Sequence, residues 1–441
     1  MLAPALSQRT SIFSCVYLFL AGCLIRIDVH LLGRLAIGEL LLIAYTPFAI
    51  SSLATLSRVP YFRMLRDFIL LWAFGTVLSD LINDSELQYF LRGFAKPALC
   101  GVLLLVCVHL IPRDPRSLTW FFFGLAVSGI INFLVPTDYR AAEIAKNVDP
   151  TDGYKYSYYA YVYTPAAYAV ASVGGFFAYK LHPLAGGALQ IFIGALAIPL
   201  LSRTAGCVLL LSGAIIVITH VAPQLRQLFF DGKRVNSGVL LKFSMAAITT
   251  FCATYYLYAY LASNGLIGET QQKKYIQQAN ATKFGDTPIG IIASGRHYTV
   301  GSILRIIDHP IFGAGSWPRT GDTLIRSAEI SGRDFDFSRH DPEVRDIGHS
   351  IIFGLWAQNG LLVLPFLLTS FAAIVRSYLL LCFSHSPLKA LIPIYLVTLM
   401  FGFFFNNFNS LARVLLVIMP IFIYQTTSEA RSLPESAPYA R

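Results

Sequence analysis

Apolar runs of about 17–25 residues recur from Ser11 to Tyr424, each long enough to cross a bilayer core as a helix. Inside hydrocarbon no water satisfies backbone amides, so a spanning segment is either a helix or part of a closed barrel. The period-two alternation of apolar and polar residues that a barrel needs is missing, which leaves a helical bundle. Composition agrees: only 13% of the residues are charged and the mean hydropathy is +0.60, whereas soluble domains carry about 25% charged residues.

Roughly twelve spans are expected, near 11–27, 35–54, 65–82, 89–111, 117–135, 158–180, 184–201, 205–221, 239–261, 361–383, 388–406 and 411–426. The first run lacks a small-residue cleavage site and reads as a retained helix. Net charge is +10, but much of the excess sits in short connections, where it fixes orientation; no nucleic-acid partner is implied. With the N-terminus inside, cytoplasmic connections hold Arg58, Arg63, Arg66, Arg113, Arg116, Lys180, Arg226, Lys233, Arg234, Arg376 and Lys389, while Asp84 and Glu86 face outward. All seven cysteines (Cys15, Cys23, Cys100, Cys107, Cys207, Cys252 and Cys382) lie in or beside apolar runs, so neither a disulfide framework nor a thiolate metal site is expected.

This divides the chain into a bundle over 1–261, a loop over 262–349, further spans over 350–426 and a short disordered tail over 427–441. A second outward segment, 136–157, is rich in Tyr, Asp and Lys. The neighbouring tyrosines Tyr154, Tyr156, Tyr158, Tyr159, Tyr161 and Tyr163 suit an interfacial belt, or stacking on sugar rings. A connection as long as 262–349 is functional or disordered, and its helix-like apolar pieces favour a folded one. It holds seven arginines from Arg296 to Arg345 against three lysines, a bias that suits bidentate binding of phosphate or carboxylate; solvated ion pairs are the plainer explanation for most.

Within the loop, Ser294-Gly295-Arg296 opens an amphipathic helix with Val300, Ile303, Leu304 and Ile307 along one face, and Ser294 is placed to cap it. A helix N-terminus beside a guanidinium is an anion site. Asp308-His309-Pro310-Ile311-Phe312-Gly313-Ala314-Gly315-Ser316-Trp317 then ends the helix in a glycine turn. His349 stands where the loop meets the apolar run from Ile351, followed by Gln358-Asn359-Gly360. Elsewhere, Ser202-Arg203 joins two spans at the outer surface. Arg92 and Lys96 share one face early in the fourth span. For Arg203, Arg92, Lys96, Arg26 and Arg413, snorkelling of a cation to the interface is the competing account, and Glu39 is expected at an interface.

Taken together, Ser202-Arg203, the stretch Arg296–Gly315, and His349 with Gly360 resemble the O-antigen ligase/polymerase superfamily, in motif order and in topology over most of the chain. The chain departs from the family pattern at Ser350, where Asn is usual, and at Gln358-Asn359, where an acidic residue is often seen. Ser350 is placed to cap the following helix. The resemblance implies an all-α, GT-C-like polytopic protein of the bacterial inner membrane, with about twelve spans and a large, mostly helical periplasmic loop. Its implied substrates are an undecaprenyl-diphosphate-linked glycan and an acceptor lipid or saccharide, among membrane lipids. Arg203 and Arg296 would hold the diphosphate, with Arg92 and Lys96 reaching it from below, and His349 would deprotonate the acceptor hydroxyl. His297, His309 and His340 are lesser alternatives. No cofactor is expected, and no carboxylate cluster with a magnesium-like arrangement is evident. A polysaccharide polymerase needs the same residues. A transporter or flippase would predict inverted repeats and midplane charges, and neither is evident. A scaffold would leave the Arg/His set unexplained.

Overall fold

The computed structural model describes residues 12–30, 34–111, 116–135, 163–200, 203–225, 256–266, 269–280, 297–319, 321–331, 350–406 and 408–432, with isolated positions between 227 and 290. Helices dominate. Strands among the described residues form two short antiparallel pairs, Asp28–His30 with Arg34–Ala36 and Phe230–Asp231 with Arg234–Val235.

The helices that build the bundle are α1 (Ile12–Cys23), α2 (Ile37–Ala44), α3 (Pro60–Ile82), α4 (Leu87–Leu110), α5 (Arg116–Leu134), α6 (Thr164–Leu181), α7 (Pro183–Leu200) and α8 (Arg203–Val221). Within 262–349 lie α9 (Glu269–Asn280), α10 (His297–Asp308) and α11 (Gly321–Ser331). The chain then continues through α12 (Ile351–Asn359), α13 (Leu364–Cys382), α14 (Pro393–Phe405) and α15 (Ser410–Ser432).

Four helices among the described residues are long and apolar enough to cross a membrane: Leu87–Leu110, Arg116–Leu134, Thr204–Val221 and the joined run Ile351–Cys382. The number rises to six if two bent pairs each count as one span, Ile37–Ala44 with Thr46–Arg58 at 47° and Pro393–Phe405 with Ser410–Gln425 at 117°. The chain is therefore a helical membrane protein. Two boundaries differ from the sequence expectation. The span expected at 361–383 begins ten residues earlier, at Ile351, because Gln358-Asn359-Gly360 lies within the run, at a short 3-10 turn over Gly360–Val363, instead of preceding it. At the other end, α15 runs to Ser432 where a disordered tail was expected from 427. Segment 136–157, the tyrosines before Tyr163 and most of the span expected at 239–261 lie outside the described residues.

Lipid tails are as apolar as leucine, so helices in a membrane associate through close packing more than through expulsion of water. Two seams show this. On α1 and α5, a Cβ at Gly22 would overlap the Phe121 carbonyl oxygen and one at Gly124 the Phe19 carbonyl oxygen. On α7 and α8, Gly187 faces Gly213 and Gly194 faces Gly206. A Cβ on Gly206 would lie 2.8 Å from the Gly194 oxygen, and one on Gly213 2.6 Å from the Gly187 oxygen. Elsewhere the core is aromatic: Trp72 is fully buried, stacked on Phe366 at 5.5 Å and edge-on to Phe408 at 5.7 Å.

Candidate functional site

The described part of the site forms where the loop locks into the bundle. After α10, Pro310 stops the helix, and Gly313 and Gly315 take φ of +79° and +81°, values that favour glycine. The opposing segment contributes Gly360 at φ +69°, whose Cβ position would overlap the Ile311 carbonyl oxygen. Two backbone bonds join the segments: Ala314 N–H donates to the Ala357 oxygen at 2.8 Å, and Leu361 N–H to the Ile311 oxygen at 2.9 Å. The Trp356 indole adds a bond to the Pro310 oxygen at 2.9 Å.

Polar side chains of α3 and α4 complete the lock. Asp80, buried in α3, accepts from both the backbone N–H and the hydroxyl of Ser316, the latter at 2.7 Å. Ser79 donates to the Gln358 oxygen at 2.7 Å and accepts from Gly315 N–H at 3.0 Å. Asn83 donates to the Gly313 oxygen, and Thr76 to the Asn359 side-chain oxygen at 2.7 Å. Gly93 on α4 leaves the room that Ser316 fills. An unmade hydrogen bond inside a bundle costs about 1–3 kcal/mol, so this many satisfied groups define one seating for the turn.

Lys96 lies at the floor of this arrangement. It is buried, donates to the Gln358 side-chain oxygen at 2.6 Å, and places its ammonium 4.3 Å from the centre of the Trp317 ring. Trp317 itself has φ of +52°, an uncommon conformation for a bulky residue. No carboxylate among the described residues lies within ion-pair distance of Lys96. A buried ammonium held by one neutral acceptor and a ring face keeps donors available for an anion.

The expected pairing of Arg92 with Lys96 separates in the structure. Arg92 is exposed, its guanidinium 5.9 Å from the Tyr89 ring, in keeping with a cation at an interface. Lys96 does not snorkel; it turns inward because Gln358 and Trp317 receive it. Arg413 and Glu39 also depart from the interface expectation. They form a buried bidentate pair with both bonds at 2.7 Å, their side chains 8% and 0% exposed; Arg413 also donates to Ser410, and Glu39 accepts from the Ala36 N–H.

His349, Arg296, Ser294 and His340 lie outside the described residues, as do the side chains of Arg203 and His297. Their neighbours are described. The chain enters α10 directly from Arg296, and α8 begins at Arg203. Ser350, immediately after His349, caps α12 by accepting from Phe353 N–H at 3.1 Å, and donates to the Phe403 oxygen at 3.2 Å. Helix α10 packs against α12, while α8 and α12 both pack against α13 and α14. His309 is exposed, and its backbone carries the helix end and the turn that follows. Among the described residues no group of three His, Cys, Asp or Glu could hold a metal ion.

Compared with protein-family models, curated proteins and solved structures, the chain matches none.

Proposed function

We propose that this protein is a membrane glycosyltransferase that moves a glycan en bloc from an undecaprenyl-diphosphate carrier to an acceptor sugar hydroxyl, in the manner of an O-antigen ligase. It works in the bacterial inner membrane with about twelve spans, cytoplasmic termini and the 262–349 loop facing the periplasm. The observation that carries this reading is the packing of α10, entered from Arg296, against α12, entered from His349, with the buried Lys96 under the turn between them.

In the reaction the acceptor oxygen attacks the anomeric carbon and the bond from that carbon to the diphosphate oxygen breaks. His349 takes the hydroxyl proton; an imidazole of ordinary pKa near 6.5 suits that task at neutral pH. Arg203 and Arg296 neutralise the charge that gathers on the departing undecaprenyl diphosphate, with Lys96 as a further cation and Arg92 at the entrance. Attack on an α-linked donor inverts the anomeric centre.

The test is reconstitution with an undecaprenyl-diphosphate glycan and candidate acceptors. His349→Ala, Arg203→Ala and Arg296→Ala should each abolish product while the protein still purifies as a folded species. Full transfer by the triple variant refutes the assignment. One chain on a new acceptor identifies a ligase, whereas a ladder of longer chains on the carrier identifies the polymerase alternative.

A further inference from the structure

Helix α10 turns an apolar stripe outward, away from the protein it packs against. Its protein-facing side mixes polar and apolar groups: Thr299, Ser302 and Arg305 are buried beside Leu304 and Ile306, and Arg305 donates to the Arg319 oxygen at 2.7 Å and to the Thr323 hydroxyl at 2.8 Å on the way into α11. Its outward side carries Ile303 and Ile307, 38% and 66% exposed, with the Asp308–Arg326 ion pair and the exposed His309 at the helix end. The stripe continues past the helix end through Ile311 and Phe312, both exposed. It then crosses the Leu361 N–H bond to the Ile311 oxygen onto exposed Leu361 and Leu368, part of the outer face of the joined run Ile351–Cys382, which is long enough to span a membrane.

In water, a helix of this composition would bury Ile303 and Ile307 together with Leu304 and Ile306 before it buried Arg305. The opposite arrangement is stable where the surrounding medium is hydrocarbon and the polar groups find partners inside the protein. We infer that one face of α10 and of the turn after it rests on the outer leaflet, with Ile303, Ile307, Ile311 and Phe312 against the acyl chains and the Asp308–Arg326 pair and His309 at headgroup level. The part of the loop nearest the site is thus a piece of the membrane domain, and the water-exposed part of 262–349 begins beyond it. The stripe's continuity with the lipid face of α13 selects lipid over a protein partner as its cover. This inference does not rest on the glycosyltransferase reading, since it concerns the medium around α10 whatever the reaction.

The experiment places a tryptophan at Ile307 or, as the more conservative exchange, at Phe312, in the full-length protein reconstituted into phosphatidylcholine vesicles. Lys273→Trp on the exposed face of α9 is the comparison. Relative to wild type, the tryptophans added by I307W and F312W should emit at short wavelength. They should lose intensity when the lipids carry bromine on their acyl chains and resist aqueous iodide, while the one added by K273W should respond to iodide. Quenching of I307W and F312W by iodide and not by brominated lipid overturns the inference. Protection from both quenchers also overturns it, because a second protein copy would then cover the stripe.

Discussion

Replacing the Glu39–Arg413 pair offers the sharpest energetic test of the bundle. Each side chain is almost wholly buried, the two share two short charge-assisted bonds, and Ser410 and the Ala36 N–H satisfy further atoms. Removing one partner strands a charge in the interior, which costs about 3–5 kcal/mol. Both Glu39→Met and Arg413→Met should therefore destabilise strongly. The double variant strands no charge and fills the space with two flexible apolar chains; it keeps the loss of the Ala36 and Ser410 bonds, about 1 kcal/mol each. The double-mutant cycle should yield a coupling energy of several kcal/mol, read from unfolding of the detergent-solubilised protein as denaturing detergent is titrated in. A double variant as unstable as the sum of the two singles would refute the argument, since the pair would then act as two independent packing groups.

Gly360→Ala should prevent the turn from docking, because its Cβ would overlap the Ile311–Phe312 backbone, whereas Gly285→Ala, at φ +60° with nothing within 4 Å, should cost only about 1–2 kcal/mol of backbone strain; thermal unfolding separates the two. Asp80→Ala leaves both Ser316 donors unpaired and should cost about 3 kcal/mol or more, while Asp80→Asn, which keeps an acceptor, should cost about half as much in the same assay. Ser350→Ala removes the α12 cap and should cost about 1 kcal/mol, with a larger loss of transfer activity than of stability if the cap holds His349 in place. Lys96→Met should keep the fold and raise the donor concentration needed for half-maximal transfer, measured against carriers of matched glycan length.

Much of this was legible along the chain because it depends on near neighbours. The apolar runs place most helices, the Pro310 and glycine sequence announces a turn, and Ser350 at the head of an apolar run announces a cap. What was hidden depends on residues far apart in sequence: Asp80 with Ser316, Lys96 with Gln358, and Glu39 with Arg413. Each polar residue, taken alone in an apolar run, reads as a cation or carboxylate seeking the interface, and only the fold supplies the partner that turns it inward. The outward side of α10 was hidden for a second reason. In a membrane protein an apolar stripe marks either the core or the lipid, and periodicity reports the stripe without saying which. The loop residues that carry the proposed chemistry, Arg296 and His349, rest on motif order alone.

The glycine seam between α7 and α8 bears on how the protein moves. Two helices joined at Gly187, Gly194, Gly206 and Gly213 bring backbone against backbone, with Ile191, Ile198, Leu209 and Val217 packed closely around the glycines. They are mechanically one stiff body. A tilt imposed on Pro183–Leu200 at its Pro183 end is carried to the start of α8, where Arg203 stands, so thickening the bilayer should be felt at that arginine.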